Sequence, residues 1–120
     1  MILVDSSVWI DHLRANEPVL SDLLERGLVL GHPFVVGELA CGNLRNRAEI
    51  LPLLGDLPQA SVATDAEVLG LIERYRLMGR GIGWVDAHLL ASVLLTPDAG
   101  LWTRDGRLAA VATELDLASD

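Results

Sequence analysis

Ile2, Leu3 and Val4 form a run of three apolar, β-prone residues that stops abruptly at Asp5. Consecutive apolar positions read as a strand covered on both faces, because a half-exposed strand would alternate apolar with polar residues. Such strands belong to parallel sheets, whose strands need long crossover connections. The opening therefore commits the chain to an α/β arrangement. It also sets an acid at the carboxyl end of a strand, where open parallel sheets bind their ligands.

The rest of the chain fits alternating strands and helices. Ser6 and Ser7 read as N-cap residues for a helix whose apolar face holds Val8, Trp9, Ile10 and Leu13. Pro18 opens a helix over 19–26 that Gly27 closes, and 28–30 reads as a second strand. Pro33 opens a helix reaching about residue 44, and another covers 47–54, with Pro52 expected to kink or stop it. A strand is expected over 59–63. Thr64 then caps a helix over 65–78 with Val68, Leu71, Ile72 and Tyr75 at helical spacing. A glycine-rich loop, 79–83, leads into a helix over 84–95, a strand over 100–103 and a last helix near 107–115. There is no repeat or linker, and 120 residues suit one domain, 1–120. The fold class is α/β, with a central, mostly parallel sheet flanked by helices.

Four acids stand where apolar residues would be expected. Asp5 follows the first strand, and Asp105 repeats that placement after Leu101-Trp102-Thr103. Each also has an ordinary use, Asp5 as a helix N-cap and Asp105 with Gly106 as a turn. Asp86 lies in the first turn of its helix, favoured there by the helix dipole, but on the stripe of Leu89, Leu90 and Val93. Glu38 sits in the apolar segment 34–41, and a helix apolar all round is expected to be buried. Its ordinary alternative is an ion pair with Arg45 or Arg47. Four converging carboxylates cannot all stay ionised without compensation. A hard divalent cation, Mg²⁺ or Mn²⁺, removes the conflict and brings phosphodiester hydrolysis within reach.

Four segments in this order resemble the PIN-domain proteins of the VapC toxin group. They are Met1-Ile-Leu-Val-Asp-Ser-Ser-Val-Trp-Ile-Asp-His-Leu, Glu38-Leu39, Gly83-Trp-Val-Asp86-Ala-His-Leu-Leu-Ala and Leu101-Trp-Thr-Arg-Asp105-Gly-Arg-Leu. The resemblance covers essentially the whole chain. It implies a single PIN-like domain, with helices on both faces of the sheet and an acidic pocket at one end. It further implies a Mg²⁺- or Mn²⁺-dependent endoribonuclease acting as the toxin of a toxin–antitoxin pair, with an RNA substrate, a cognate antitoxin and a homodimeric state. Asp5 and Asp86 would be the principal metal ligands, Glu38 would ligate directly or through water, and Asp105 would complete the site. Ser6, Ser7 and Thr103 match hydroxyl positions beside the acids; Ser6 stands where the family commonly has threonine.

The charge balance opposes a general nucleic-acid binder: the net charge is −8, with 17 acids against nine arginines and no lysine. RNA contact would depend on local arginines, with Arg80, Arg104 and Arg107 beside the acids as candidates, and Arg74 and Arg76 nearby. The three histidines lack metal-ligand spacing. Cys41, the only cysteine, excludes an internal disulfide, suits a reducing cytoplasm and reads as a small buried hydrophobe. No membrane association is expected. Two other classes compete. A non-catalytic PIN-like interaction module would be favoured had an acid been replaced. An aspartyl-phosphate phosphatase or receiver-like domain would need a second acid where Ser7 stands, or a late lysine that is absent.

Overall fold

The computed structural model describes residues 1–119. Three parallel strands, β1 (Ile2–Val4), β2 (Val29–Leu30) and β3 (Gly100–Trp102), lie in the order β2-β1-β3. The apolar opening is thus the middle strand. Leu3 pairs with Leu30 on one side and Leu101 on the other. Leu3 and Val4 point to opposite faces, and both are 0% exposed, so helices cover the sheet on both sides.

Those helices are α1 (Ser6–Ala15), α2 (Pro18–Glu25), α3 (Pro33–Ala40), α4 (Arg47–Gly55), α5 (Asp65–Tyr75), α6 (Trp84–Leu95) and α7 (Gly106–Glu114). Local signals account for most of their ends. Pro18 and Pro33 occupy first-turn positions, where the missing N–H costs nothing. Thr64 and Glu67 form a reciprocal capping box at α5, satisfying two N–H groups that would otherwise face water. Gly27 takes a left-handed φ of 68° after α2, a conformation that costs glycine little.

Several expectations are corrected. Residues 59–63 form no strand: one bridge joins Gly31 to Gln59. Gly31 donates to the Pro58 carbonyl and accepts from Ala60 N–H, but Ser61 N–H then turns to the Thr96 hydroxyl, ending the ladder. Helix α3 stops at Ala40 instead of near residue 44, and Arg47 donates to the exposed carbonyls of Ala40 and Gly42. Pro52 lies inside α4 without ending it. Helix α5 ends at Tyr75, three residues early, where Arg76 turns left-handed. Ser6 and Ser7 form the first turn of α1, and the N-cap position belongs to Asp5. Ile10 faces outward, and Cys41 is exposed.

Helix α6 is the most deeply packed, buried from Ala87 to Val93. Its His88 donates through Nε2–H to the Asp65 carboxylate at 3.1 Å and packs between the rings of Trp84 and Phe34. His32, also buried, accepts from Phe34 N–H through Nδ1, so its Nε2–H donates to the Ser92 hydroxyl at 2.9 Å. Burial and the neighbouring His88 push the His32 pKa down to about 4. Both histidines are structural. Of the tryptophans, Trp9 is in the core, Trp102 is partly covered and Trp84 is exposed. No helix among the described residues is long and apolar enough to cross a membrane.

Candidate active site

The carboxyl ends of β1 and β3 are neighbours, so the residues that follow them meet. Asp5 is only 5% exposed, which requires donors for its carboxylate. It occupies the N-cap position of α1 without capping it. Instead its Oδ2 accepts from the Ser7 hydroxyl at 2.7 Å and the Thr103 hydroxyl at 2.8 Å. Those hydroxyls are themselves oriented. Ser7 Oγ accepts from Arg104 N–H and Thr103 Oγ1 from Asp105 N–H, so their own protons are left for Asp5. Relays of this kind polarise one another and hold the carboxylate rigidly. Replacing Thr103 with Val removes one donor while keeping the shape. A tenfold to hundredfold loss of divalent-metal affinity is expected, as for other groups that orient a ligand, at about 10–100-fold. Calorimetric titration with Mn²⁺ checks this, and unchanged affinity would detach Thr103 from the site.

The other acids gather around Asp5. Asp86, in the first turn of α6, reaches back to Gly83 N–H at 3.0 Å through Oδ2. This is half of a capping box, since Gly83 has no side chain to return the bond. Burial is the largest influence on Asp86 and raises its pKa; the Gly83 bond opposes this, while Asp5 and Asp105 add to the rise. Asp105 is exposed and caps α7, its Oδ1 accepting from Arg107 and Leu108 N–H.

Glu38 corrects the expectation of a buried acid. Helix α3 buries Val35 and Leu39, one turn apart, and Glu38 emerges on the open side beside exposed Gly37. A helix apolar in sequence is here covered on one side only, because its other side borders the acids. No arginine pairs with Glu38 among the described residues; its partner is the Ser6 hydroxyl at 3.2 Å. Partial burial and the charges of Asp5 and Asp86 raise its pKa, with Ser6 opposing.

The donor set suits a hard divalent ion. All four groups are carboxylates, and they are electrostatically coupled. Protein donors hold one oxygen of each, while among the described residues Asp86 Oδ1, Asp105 Oδ2 and Glu38 Oε2 have no hydrogen-bond partner and Asp5 Oδ1 has a 3.5 Å contact from Ser6. Among the described residues no three such side chains close into a ready cage for an ion.

The arginines divide. Arg80 forms a two-pronged pair with Glu114 at 2.7 and 2.9 Å. Arg104 is shared between Asp11 at 2.9 Å and Glu17 at 2.6 Å. Both would have to leave an acid to meet phosphate. Arg107 has no acid partner among the described residues, and its side chain lies over Gly81, where an added Cβ would strike it. The acids that engage Arg80 and Arg104 were not singled out from sequence, because the pairs span 34 to 93 residues.

A parallel α/β sheet with an acid after each of two neighbouring strands, and two helix-borne acids close enough to act on their charges, defines an acidic class of site at the carboxyl edge of an open sheet. The comparisons narrow it: the chain matches the PIN domain family over residues 2–114. It is 52% identical over 118 residues to Ribonuclease VapC32 of Mycobacterium tuberculosis (strain CDC 1551 / Oshkosh), covering 98% of this chain and 95% of that relative. The same figures hold for Ribonuclease VapC32 of strain ATCC 25618 / H37Rv. The chain belongs to the PIN-domain family and, within it, to the VapC group.

Proposed function

We propose that residues 1–120 form one PIN-like nuclease domain, a metal-dependent endoribonuclease that hydrolyses RNA phosphodiester bonds as the toxin of a toxin–antitoxin pair. Asp5, Glu38, Asp86 and Asp105 carry the chemistry. The observation that supports this most directly is the coupled set of four carboxylates, each with an oxygen left over by the protein's own hydrogen bonds. Bound Mg²⁺ or Mn²⁺ would offset their charge and activate water for attack on the phosphodiester. Asp5 is the rigid anchor, held by Ser7 and Thr103. Asp86 is fixed by Gly83, Asp105 by the start of α7, and Glu38 stands at the open rim beside Ser6. The named relative, a ribonuclease, supports the substrate class.

The test is incubation of a mixed RNA pool with purified protein plus Mg²⁺, Mn²⁺ or chelator. Cleavage with metal and none with chelator is expected. Protein that binds no metal and cuts nothing would favour an interaction module.

The raised pKa values of Glu38 and Asp86 bear on stability as well. An acid whose folded pKa is raised contributes stability below its unfolded value, and that contribution is lost as pH rises through the folded value. The metal-free protein should therefore lose stability as pH climbs past the ordinary carboxylate values of 4.5 and 3.8 through the raised ones. Metal removes this repulsion and competes with protons for the same oxygens. The gain in Tm on adding Mg²⁺ should be small in acid and grow with pH. A pH-independent gain would place the ion away from Glu38 and Asp86.

The same identity implies a cognate antitoxin and a cytoplasmic setting, which an exposed, unpaired Cys41 suits. Tyr75, Leu94 and Leu95 leave an apolar face on α5 and α6 that a homodimer would cover. Light scattering of the purified chain reads that state, and a monomer at all concentrations would oppose it.

A further inference from the structure

A groove of 840 Å³ runs between α1, the end of α3, the α3–α4 turn and the start of α4. Glu38, one of the four acids, lines it, so the groove reaches the rim of the acidic site. Its walls combine three kinds of group. Ile10 is 46% exposed, and Leu13, Leu44 and Ile50 are half-buried, leaving apolar surface uncovered. Arg14 and Arg45 flank this floor, both exposed and without an acid partner among the described residues. Asn46 precedes α4 in a left-handed conformation, its side chain makes no cap bond, and it lines the groove.

These two arginines share with Arg74, Arg76 and Arg107 the lack of an acid partner among the described residues, and of these five they alone line the groove. Arg26, Arg80 and Arg104 are neutralised by acids, and Arg47 is spent on the carbonyls that end α3. A protein of net charge −8 repels a polyanion overall, so binding must use local cations left uncompensated. Flanking arginines for phosphates, an amide for base edges and an apolar floor for base faces are groups that a single-stranded RNA can use.

We infer that the groove binds the substrate strand on one side of the scissile phosphate, with Arg14 and Arg45 on two phosphates and the bases laid over Ile10 and Leu44. Arg14 and Arg45 are positioning residues; they hold the strand and do not touch the reacting atoms. The inference rests on the endoribonuclease function proposed above. A protein segment, such as an antitoxin tail, is the other occupant the apolar floor would admit, and the experiment separates the two.

The experiment compares wild type, the double variant Arg14→Gln/Arg45→Gln and, as control, Arg26→Gln, which removes an exposed arginine that does not line the groove. Binding of a fluorescein-labelled, mixed-sequence single-stranded RNA is followed by anisotropy in chelator, where turnover stops, over a salt series. Cleavage is followed separately with Mn²⁺. The double variant should bind about tenfold more weakly at low salt, and its slope of log K against log salt should be shallower by about 1.4, near 0.7 per lost phosphate contact. KM should rise with kcat at saturation unchanged, and the control should match wild type. Equal affinity and slope in wild type and double variant, with wild type still cutting RNA, would overturn the groove and leave the nuclease intact. Weaker binding of an antitoxin peptide, with RNA affinity untouched, would give the groove to a protein partner and overturn it too. Wild type that neither binds nor cuts RNA would overturn the endoribonuclease itself.

Discussion

Asp86→Asn should lower RNA cleavage by on the order of a thousandfold, about 4 kcal/mol of transition-state stabilisation at 1.36 kcal/mol per factor of ten. The substitution changes charge and hardly changes shape. An asparagine carbonyl can still accept from Gly83 N–H, so the first turn of α6 keeps its bond. What disappears is an anion that, with Asp5 and Asp105, would help hold a divalent ion. Stability should not fall with activity. Burial and two neighbouring acids already oppose ionisation of Asp86, so a neutral side chain relieves repulsion in the metal-free protein. The pairing of lost cleavage with an equal or higher Tm distinguishes a chemical role from a structural one. Cleavage within tenfold of wild type, with metal present, would remove Asp86 from the site.

The second large effect is on the sheet. Leu3→Ala deletes a fully buried side chain from the middle strand, where β2 and β3 pair on either side. Replacing a buried leucine with alanine costs about 2–5 kcal/mol, the lost transfer energy plus the cavity left behind. Domains are stable by only about 5–15 kcal/mol, so this is a large share, and Tm should fall by roughly 10 °C. In urea the midpoint should drop with the slope unchanged, because the folded state stays as compact. Ile10→Ala, on the outward side of α1, should stay within about 0.5 kcal/mol of wild type. Equal effects at the two positions would contradict the central placement of β1.

Function and fold meet at this strand. β1 is the axis of the core, and the acid ending it is the most buried of the four carboxylates. Loss of Leu3 would disturb the register that brings Thr103 onto Asp5 across 98 residues of sequence. The best-packed element and the most constrained acid are consecutive in the chain, so the site inherits its rigidity from the core.

What could be read from the residues alone was whatever depends on near neighbours. The run Ile2–Val4 signals a buried strand by its own pattern, Thr64 and Glu67 cap α5 three residues apart, and α6 has the bounds its apolar stretch and Pro97 imply. The four acids were conspicuous because each interrupted or ended such a local pattern. The tertiary structure decided everything that depends on what lies opposite. It exposes Glu38 and Cys41 although their segment is apolar, since one side of α3 borders the open acid cluster. It ends the ladder at Gln59, because the next N–H finds Thr96 instead of a strand. It commits Arg80 and Arg104 to distant acids and leaves Arg14 and Arg45, which line one groove with Glu38, without an acid partner among the described residues. Helix and strand signals act over a few residues through backbone hydrogen bonds and side-chain periodicity, whereas burial and charge pairing are set by groups far apart in the chain.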